Sequence, residues 1–70
     1  MEAFSLEGRD YIELNKLLKL LQLVETGGEA NSCIEHGEVL VNDVVELRKR
    51  HKVRGGFTVS FRGHIIEVKP

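Results

Sequence analysis

The densest cluster of charge in this sequence is residues 48–54, RKRHKVR, which we call the basic segment. Five of its seven residues are permanent cations, and no acidic residue lies between Glu46 and Glu67. Cations at this density repel one another, and a phosphate backbone would relieve the repulsion by pairing with them and releasing condensed counterions. A solvated basic loop is the alternative interpretation. The segment therefore predicts a polyanion-binding surface, with its contact residues at Arg48, Lys49, Arg50, Lys52 and Arg54.

The distribution of charge supports this prediction, although the formal net charge is only -1. Residues 1–46 hold ten acidic and three basic residues, a net charge of -7, whereas residues 47–70 hold seven basic and one acidic residue, a net charge of +6. The electrostatic field at a surface depends on where charges cluster. The near-zero total therefore does not exclude a nucleic acid partner.

The other groups capable of chemistry are few. Cys33 and His36 are three residues apart, which supplies two metal ligands at most, and the sequence contains no CxxC or HxxxH motif. They are also the only pairing of a nucleophile with a base, and a chain of 70 residues offers little pocket to enclose it. We therefore expect no enzymatic activity, no metal and no cofactor, with Cys33 buried as a structural residue.

Length and composition indicate a single small domain over residues 1–70. With Cys33 as the only cysteine, no internal disulfide can form, which is typical of a reducing compartment. The longest apolar-rich stretch, residues 17–24, is interrupted by Lys19 and Gln22 and is far shorter than the roughly 18 to 20 residues of a membrane span. The first residues lack the pattern of a signal peptide. We expect a cytoplasmic monomer that makes no use of a membrane.

Two helices are predicted in the first half of the chain. Leu14, Leu17, Leu18 and Leu21 follow helical spacing, which predicts a helix from residue 12 or 13 to residue 22. Lys16 and Lys19 lie on the opposite face of that helix. A second, short helix should start after Thr26, because Glu29 three residues later completes a capping box. Its inward residues would be Ala30, Cys33 and Ile34, and Gly37 would end it in a left-handed conformation.

The glycine pair Gly27-Gly28 at the start of the second helix allows close approach of a ligand to the backbone. Free N–H groups at a helix start attract anions, so the pair could seat one phosphate. No Gly-Lys-Ser/Thr sequence follows, which excludes a nucleotide-binding P-loop, and Glu29 is unfavourable for an anion. A purely structural turn is the equal alternative.

After Val39 the pattern changes from helical to extended, with many β-branched residues. Asn42-Asp43 predicts the turn of a first hairpin, and Arg62-Gly63 predicts the turn of a second. Phe57, Val59 and Phe61 alternate with polar residues and should share a core-facing side. The sequence thus predicts an α+β fold, in which two short helices pack on a small, mainly antiparallel sheet.

The aromatic residues bear on the kind of nucleic acid that is bound. Phe57 and Phe61 are expected in the core, Phe4 should cover the sheet edge, and Tyr11 precedes the first helix. Few aromatic side chains remain to stack on the bases of a single strand. Recognition through the phosphate backbone and the shape of folded or duplex RNA is therefore favoured.

Taken in order, these residues resemble the S4-like RNA-binding domain, also called the αL motif. The likeness rests on TGGEA at residues 26–30, HGEVLVN at 36–42, and the basic segment followed by strands, and it extends from about Ile12 to Val68. Within that family the chain resembles the small stand-alone YbcJ-like branch. The shared pieces are FSL near the start, LLK in the first helix, ELRKRHKV at 46–53, and TVSF at 58–61 followed by Gly63-His64.

The resemblance implies the αL fold and an RNA-binding face made by the second helix, the loop after it and a basic strand. Carried over by position, that face would include Gly27, Gly28, Asn31, Asn42, Arg48, Arg50 and Lys52, and Lys16 and Lys19 would extend it. The family often has Arg or Lys around the start of the second helix, where this chain has Gly27, Gly28, Glu29 and Asn31. The basic segment is therefore expected to make the main contacts.

The partner expected from all of these features is a structured RNA, such as a ribosomal or tRNA-like RNA, bound without catalysis. A protein-interaction module is the competing hypothesis, with the basic face docking an acidic protein, or with a sheet edge or residues 4–6 pairing with another chain. A duplex-DNA reader is disfavoured, because the second helix is too acidic to serve as a recognition helix.

Overall fold

The computed structural model describes residues 2–70. It contains two α-helices, α1 Leu14–Leu20 and α2 Gly27–Glu35. The seven strands are β1 Glu2–Ser5, β2 Ile12–Glu13, β3 Val39–Val41, β4 Val44–Val45, β5 Lys52–Val53, β6 Thr58–Phe61 and β7 His64–Lys69. No helix among these residues is long and apolar enough to cross a membrane.

Five strands form one sheet in the order β1-β7-β6-β3-β4, and β2 and β5 form a separate two-stranded sheet. Every pair is antiparallel except β1 with β7. Both predicted hairpins are confirmed. Their turns have the left-handed backbone that such turns require, with φ of 52° and 67° at Asn42 and Asp43, and 47° and 82° at Arg62 and Gly63. The expected α+β fold with a mainly antiparallel sheet is therefore present.

The N-terminal strand β1 lies parallel to the C-terminal strand β7, with Phe4 opposite Val68. Leu6 continues this pairing, since its N–H donates to the carbonyl of Lys69 at 2.9 Å. Residues 4–6 are therefore bonded to β7 within the chain, and their pairing with another chain stays a prediction. Phe4 is half-buried against the core at this sheet edge, as expected.

Helix α1 is shorter than its leucine pattern predicted. Ile12 and Glu13 are in β2, because they pair with Val53 and Lys52 of β5. The helix ends at Leu20, and Gln22 soon afterwards has a positive φ of 59°, which α-helix excludes. The leucine stripe still faces inward. Leu14, Leu17 and Leu18 are fully buried, and Leu21 packs partly against the core.

Helix α2 begins where the capping box predicted. The Thr26 hydroxyl accepts a hydrogen bond from the N–H of Glu29 at 3.0 Å. The carboxylate of Glu29 accepts from the N–H of Glu25 at 2.9 Å rather than from Thr26, so the reciprocal bond is displaced by one residue. Gly37 has the left-handed φ of 78° that ends the helix. The α2 residues expected to face inward, Ala30, Cys33 and Ile34, are buried.

The core joins the two helices to the five-stranded sheet and to the small β2-β5 ribbon. Phe61 and Val59 of β6 are buried as predicted, whereas Phe57 is only half-buried at the edge of the core. Val53 of β5 is completely buried. Because Val53 is anchored in this way, the exposed side chains on either side of it, Lys52 and Arg54, are displayed at a defined place on the surface.

Candidate nucleic-acid interface

The basic segment forms a turn that leads into β5. The N–H of His51 donates to the carbonyl of Arg48 at 3.1 Å and closes the turn. Residues 52 and 53 then pair with β2, and Val53 enters the core. The segment is therefore mostly a turn with a strand of two residues at its end, and its backbone is held at both ends.

Helix α1 fixes the same turn through its first backbone N–H groups. The N–H of Leu14 donates to the carbonyl of His51 at 2.9 Å, and the N–H of Asn15 donates to the carbonyl of Lys49 at 3.0 Å. The residue before the helix, Glu13, makes no side-chain cap. Carbonyls of the basic segment thus satisfy donors that a helix start leaves free, and they hold the turn against α1.

The side chains of the segment surround an open groove of about 510 Å³, which we call the basic groove. It is lined by Arg48, Arg50, His51, Lys52, Arg54 and Phe57. The rings of His51 and Phe57 are stacked, with centroids 6.3 Å apart and planes 23° from parallel. The groove thus combines four permanent cations with a flat surface of two rings, and a groove lined by one sign of charge concentrates the field that attracts anions.

One of the four cations is already paired. The carboxylate of Glu46 accepts from Arg48 Nε at 2.9 Å and from Nη2 at 3.1 Å. The side-chain hydrogen bond from Arg48 is the main reason that the pKa of Glu46 falls from its usual 4.5 to about 2, and burial opposes the shift. His51 Nδ1 also lies 3.5 Å from Glu46 Oε1. The pair makes Arg48 a weaker attractor of phosphate than its neighbours.

Among the described residues, Arg50, Lys52 and Arg54 form no ion pair with a carboxylate. Lys52 and Arg54 instead lie over the ring of Tyr11, at 5.0 Å and 5.6 Å from its centroid. These distances are those of cation–π contacts. The unneutralised positive charge of the groove is therefore concentrated on Arg50, Lys52 and Arg54.

The other predicted site residues do not line the basic groove. Lys49 of the basic segment turns to α2, with its Nζ 3.7 Å from Glu35 Oε2. Lys16 is in α1, and its Nζ lies 3.3 Å from Oε1 of Glu13. Together with Lys19 it borders a separate hollow on that helix. They can extend a positive surface along α1, but the structure places them apart from the groove lining.

Asn31 and Asn42 have partners within the protein. The Asn31 side-chain oxygen accepts from the side chain of Asn15 at 3.0 Å, which joins α2 to α1. Asn42 accepts from the N–H of Thr58 through its side-chain oxygen at 2.9 Å, and so fastens the first hairpin to β6. Asn42 thus has a structural role that accounts for its place in the sequence.

Gly27 and Gly28 are the first two residues of α2. A Cβ atom added at Gly27 would meet nothing within 4 Å, and one at Gly28 would meet only the Thr26 hydroxyl at 3.9 Å. No crowding inside the protein therefore requires glycine at either position. Within residues 2–70, no group of three or more His, Cys, Asp or Glu side chains could hold a metal ion.

Sequence reasoning missed two residues of this surface. In the sequence Glu46 marks only the boundary of the basic run, although an acid two residues before an arginine is within reach of it. The sequence shows Tyr11 only as a residue before α1, and its nearness to Lys52 and Arg54 depends on the pairing of β2 with β5. No signal in the sequence indicates that pairing, because each of the two strands has only two residues.

The chain is similar to known proteins over nearly its whole length. A family model described as "S4 domain" matches residues 4–69. The chain is 46% identical over 68 residues to "Putative RNA-binding protein YbcJ" of Escherichia coli K12, covering 97% of each protein. It has the same identity and coverage with "Uncharacterized protein YbcJ" of Shigella flexneri. The solution structure of Escherichia coli YbcJ, described as revealing an αL motif involved in RNA-binding, matches with a TM-score of 0.77 and 44% identity, covering all of this chain and 89% of the other.

Proposed function

The chain belongs to the S4 domain family, and on that basis we propose that it is a non-enzymatic RNA-binding protein whose basic groove holds the phosphates of a folded RNA. The observation that carries the proposal is the group of three cations, Arg50, Lys52 and Arg54, which line one groove and lack an acidic partner among the described residues. A nucleic acid backbone presents phosphates that such a group neutralises, with release of the condensed counterions.

The rigidity of the groove supports this function. The hydrogen bonds from α1 to the carbonyls of Lys49 and His51, together with the burial of Val53, hold the backbone of the basic segment before any ligand arrives. A surface already in its binding conformation loses less conformational entropy on association. The cations can therefore contribute more of their attraction to affinity.

The aromatic residues favour folded RNA over an extended single strand. Phe61 is buried and Phe4 and Phe57 are half-buried, which leaves Tyr11 as the one exposed aromatic side chain of the described residues. Nonspecific single-strand binders stack successive bases on several aromatic platforms. We accordingly propose phosphate and shape recognition of a structured RNA in the cytoplasm, with ribosomal and tRNA-like RNAs as the classes to examine first.

The test is a fluorescence-anisotropy titration of an RNA stem-loop, a single-stranded RNA and a matched DNA duplex at 50 mM and 200 mM salt. Neutralising about three phosphates should lower stem-loop affinity by roughly one and a half decades between these salt concentrations. Arg50→Glu should weaken every RNA alike, because a phosphate contact carries no base information. The stem-loop should bind more tightly than either of the other nucleic acids.

Arg50→Gln and Arg62→Gln form a matched pair of controls. Both remove one positive charge from an exposed arginine, but Arg62 lies in the turn between β6 and β7, where it pairs with Glu38 at 3.1 Å. Only Arg50→Gln should weaken RNA binding. An equal loss of affinity from Arg62→Gln would show that the RNA does not bind specifically at the basic groove.

Absence of RNA binding at low salt would favour the competing function, in which the groove docks an acidic protein. Pull-downs of that protein should then survive nuclease treatment.

A further inference from the structure

Tyr11 is an exposed aromatic residue at the margin of the basic groove. It directly precedes β2, and 39% of its surface is accessible to solvent. Tyr11 also lines a second, smaller hollow of about 240 Å³, together with Arg9, Lys16 and the Glu13 that pairs with Lys16. Tyr11 therefore contacts two cations of the basic groove and also lines a second hollow, while remaining exposed rather than packed in the core.

The two cations over the ring link Tyr11 to the groove. Lys52 Nζ and Arg54 Cζ lie 5.0 Å and 5.6 Å from the ring centroid, and both side chains also line the basic groove. The phosphate and the base of one nucleotide are close together. When these cations hold the phosphate, the base therefore lies beside the ring. When the cations turn toward a phosphate, the ring surface that they cover becomes available.

This exchange favours the bound state. Each exposed cation–π contact corresponds to about a two- to fivefold effect on an equilibrium, so the two contacts together correspond to roughly 5- to 30-fold. Stacking of a base on an aromatic side chain corresponds to roughly 5- to 150-fold. The cations also gain a charged partner in place of an aromatic face, so the ring and the cations both obtain stronger partners than they have in the free protein.

We propose that Tyr11 stacks on an unpaired nucleobase next to the phosphate bound by Lys52 and Arg54, an inference that rests on the proposed RNA-binding function. A base inside a duplex is covered on both faces by its neighbours and cannot stack on a side chain in this way. The preferred RNA is therefore a stem with a bulged or overhanging nucleotide, so that phosphates of the stem occupy the groove and the unpaired base covers Tyr11.

The experiment uses three RNAs with the same stem: one fully paired, one with a single 2-aminopurine bulge, and one with a single 2-aminopurine overhang. At least one unpaired form should bind the wild-type protein about tenfold more tightly than the paired stem. The fluorescence of 2-aminopurine in that complex should fall, because stacking quenches it. Tyr11→Leu should remove both effects while binding the paired stem at least as tightly as the wild-type protein does, because its cations are free of the ring, whereas Tyr11→Phe should retain both effects.

Thermal unfolding of each variant establishes that the fold is intact. Because the fluorescence change in the wild-type protein needs no substitution, it tests the stacking even if Tyr11→Leu does not fold. Equal, salt-sensitive binding of all three RNAs without a fluorescence change would overturn the stacking proposal and leave the phosphate-binding function in place. Absence of binding to all three would overturn both.

Discussion

The guanidinium of Arg48 and the carboxylate of Glu46 form a fork of two hydrogen bonds, 2.9 Å and 3.1 Å long, at the wall of the basic groove. The backbone N–H of Arg48 donates to the same carboxylate at 2.9 Å. Glu46 thus both fixes the chain where the basic segment begins and cancels much of the charge of its first arginine. The groove contains a nearly neutral pair beside three cations that lack an acidic partner among the described residues.

This arrangement predicts that Glu46 and Arg48 can be neutralised together with little effect on RNA affinity. The double variant Glu46→Gln/Arg48→Gln keeps the net charge and an acceptor for the backbone N–H of Arg48, so its affinity for a stem-loop should stay within about twofold of wild type. Arg50→Gln alone should weaken binding roughly five- to tenfold and reduce the salt slope by about one. Anisotropy titrations would measure both. A loss from the double variant as large as that from Arg50→Gln would mean that Arg48 contacts the RNA directly.

The same pair makes a pH-dependent contribution to stability. The pKa of Glu46 is about 2 in the folded protein and near 4.5 when the side chain is unpaired, so the contribution is fully present above pH 4.5 and is lost as pH falls toward 2. Because Arg48 is exposed to solvent, we expect only about 1 to 2 kcal/mol. Urea unfolding of wild type and Glu46→Gln should show that difference at pH 7. The difference should shrink at pH 3 and vanish only below about pH 2, whereas a constant difference would contradict the assignment.

The elements that the sequence predicted well are those specified by neighbouring residues. Asn42, Asp43 and Gly63 are residue types that tolerate a positive φ, and the two turns that contain them lie between runs of apolar residues, so the turns and the inward faces of β3 and β6 follow locally. The Thr26 cap of α2 is likewise determined by a hydroxyl at the correct spacing from the next free N–H.

The features that sequence reasoning missed depend on residues far apart in the chain. The parallel pairing of β1 with β7 joins Phe4 to Val68, and the β2-β5 pairing brings Tyr11 to Lys52 and Arg54. A strand of two residues is too short to show an alternating pattern in the sequence. Ile12 also precedes the leucines of α1, so the sequence pattern extends the predicted helix back over residues that form β2. The cations of the candidate site could be predicted from the sequence. Which of them pair with a carboxylate and which do not could be seen only in the folded structure.

The link between α1 and the basic segment predicts unusual hydrogen exchange at the helix start. The N–H groups of Leu14 and Asn15 are bonded to carbonyls of His51 and Lys49, whereas those of Gly27 and Gly28 at the start of α2 have no partner among the described residues. Native-state exchange followed by NMR should therefore show protection at Leu14 and Asn15 of at least about tenfold relative to the two glycines. Equally fast exchange at all four amides would show that α1 does not hold the turn in solution.

Cys33, the single thiol of the sequence, is only 4% exposed in α2. Burial raises the pKa of this thiol, and the guanidinium of Arg62, whose Nη2 lies 3.4 Å from Sγ, opposes the rise. At pH 7 the group should be protonated and shielded, so a disulfide reagent such as DTNB should label the native protein at least roughly 100-fold more slowly than the urea-unfolded chain. Arg62→Gln should not accelerate labelling through the pKa, since it removes the group that stabilises the thiolate. Rapid labelling of the native protein would contradict a buried structural role and reopen the question of a reactive cysteine at this position.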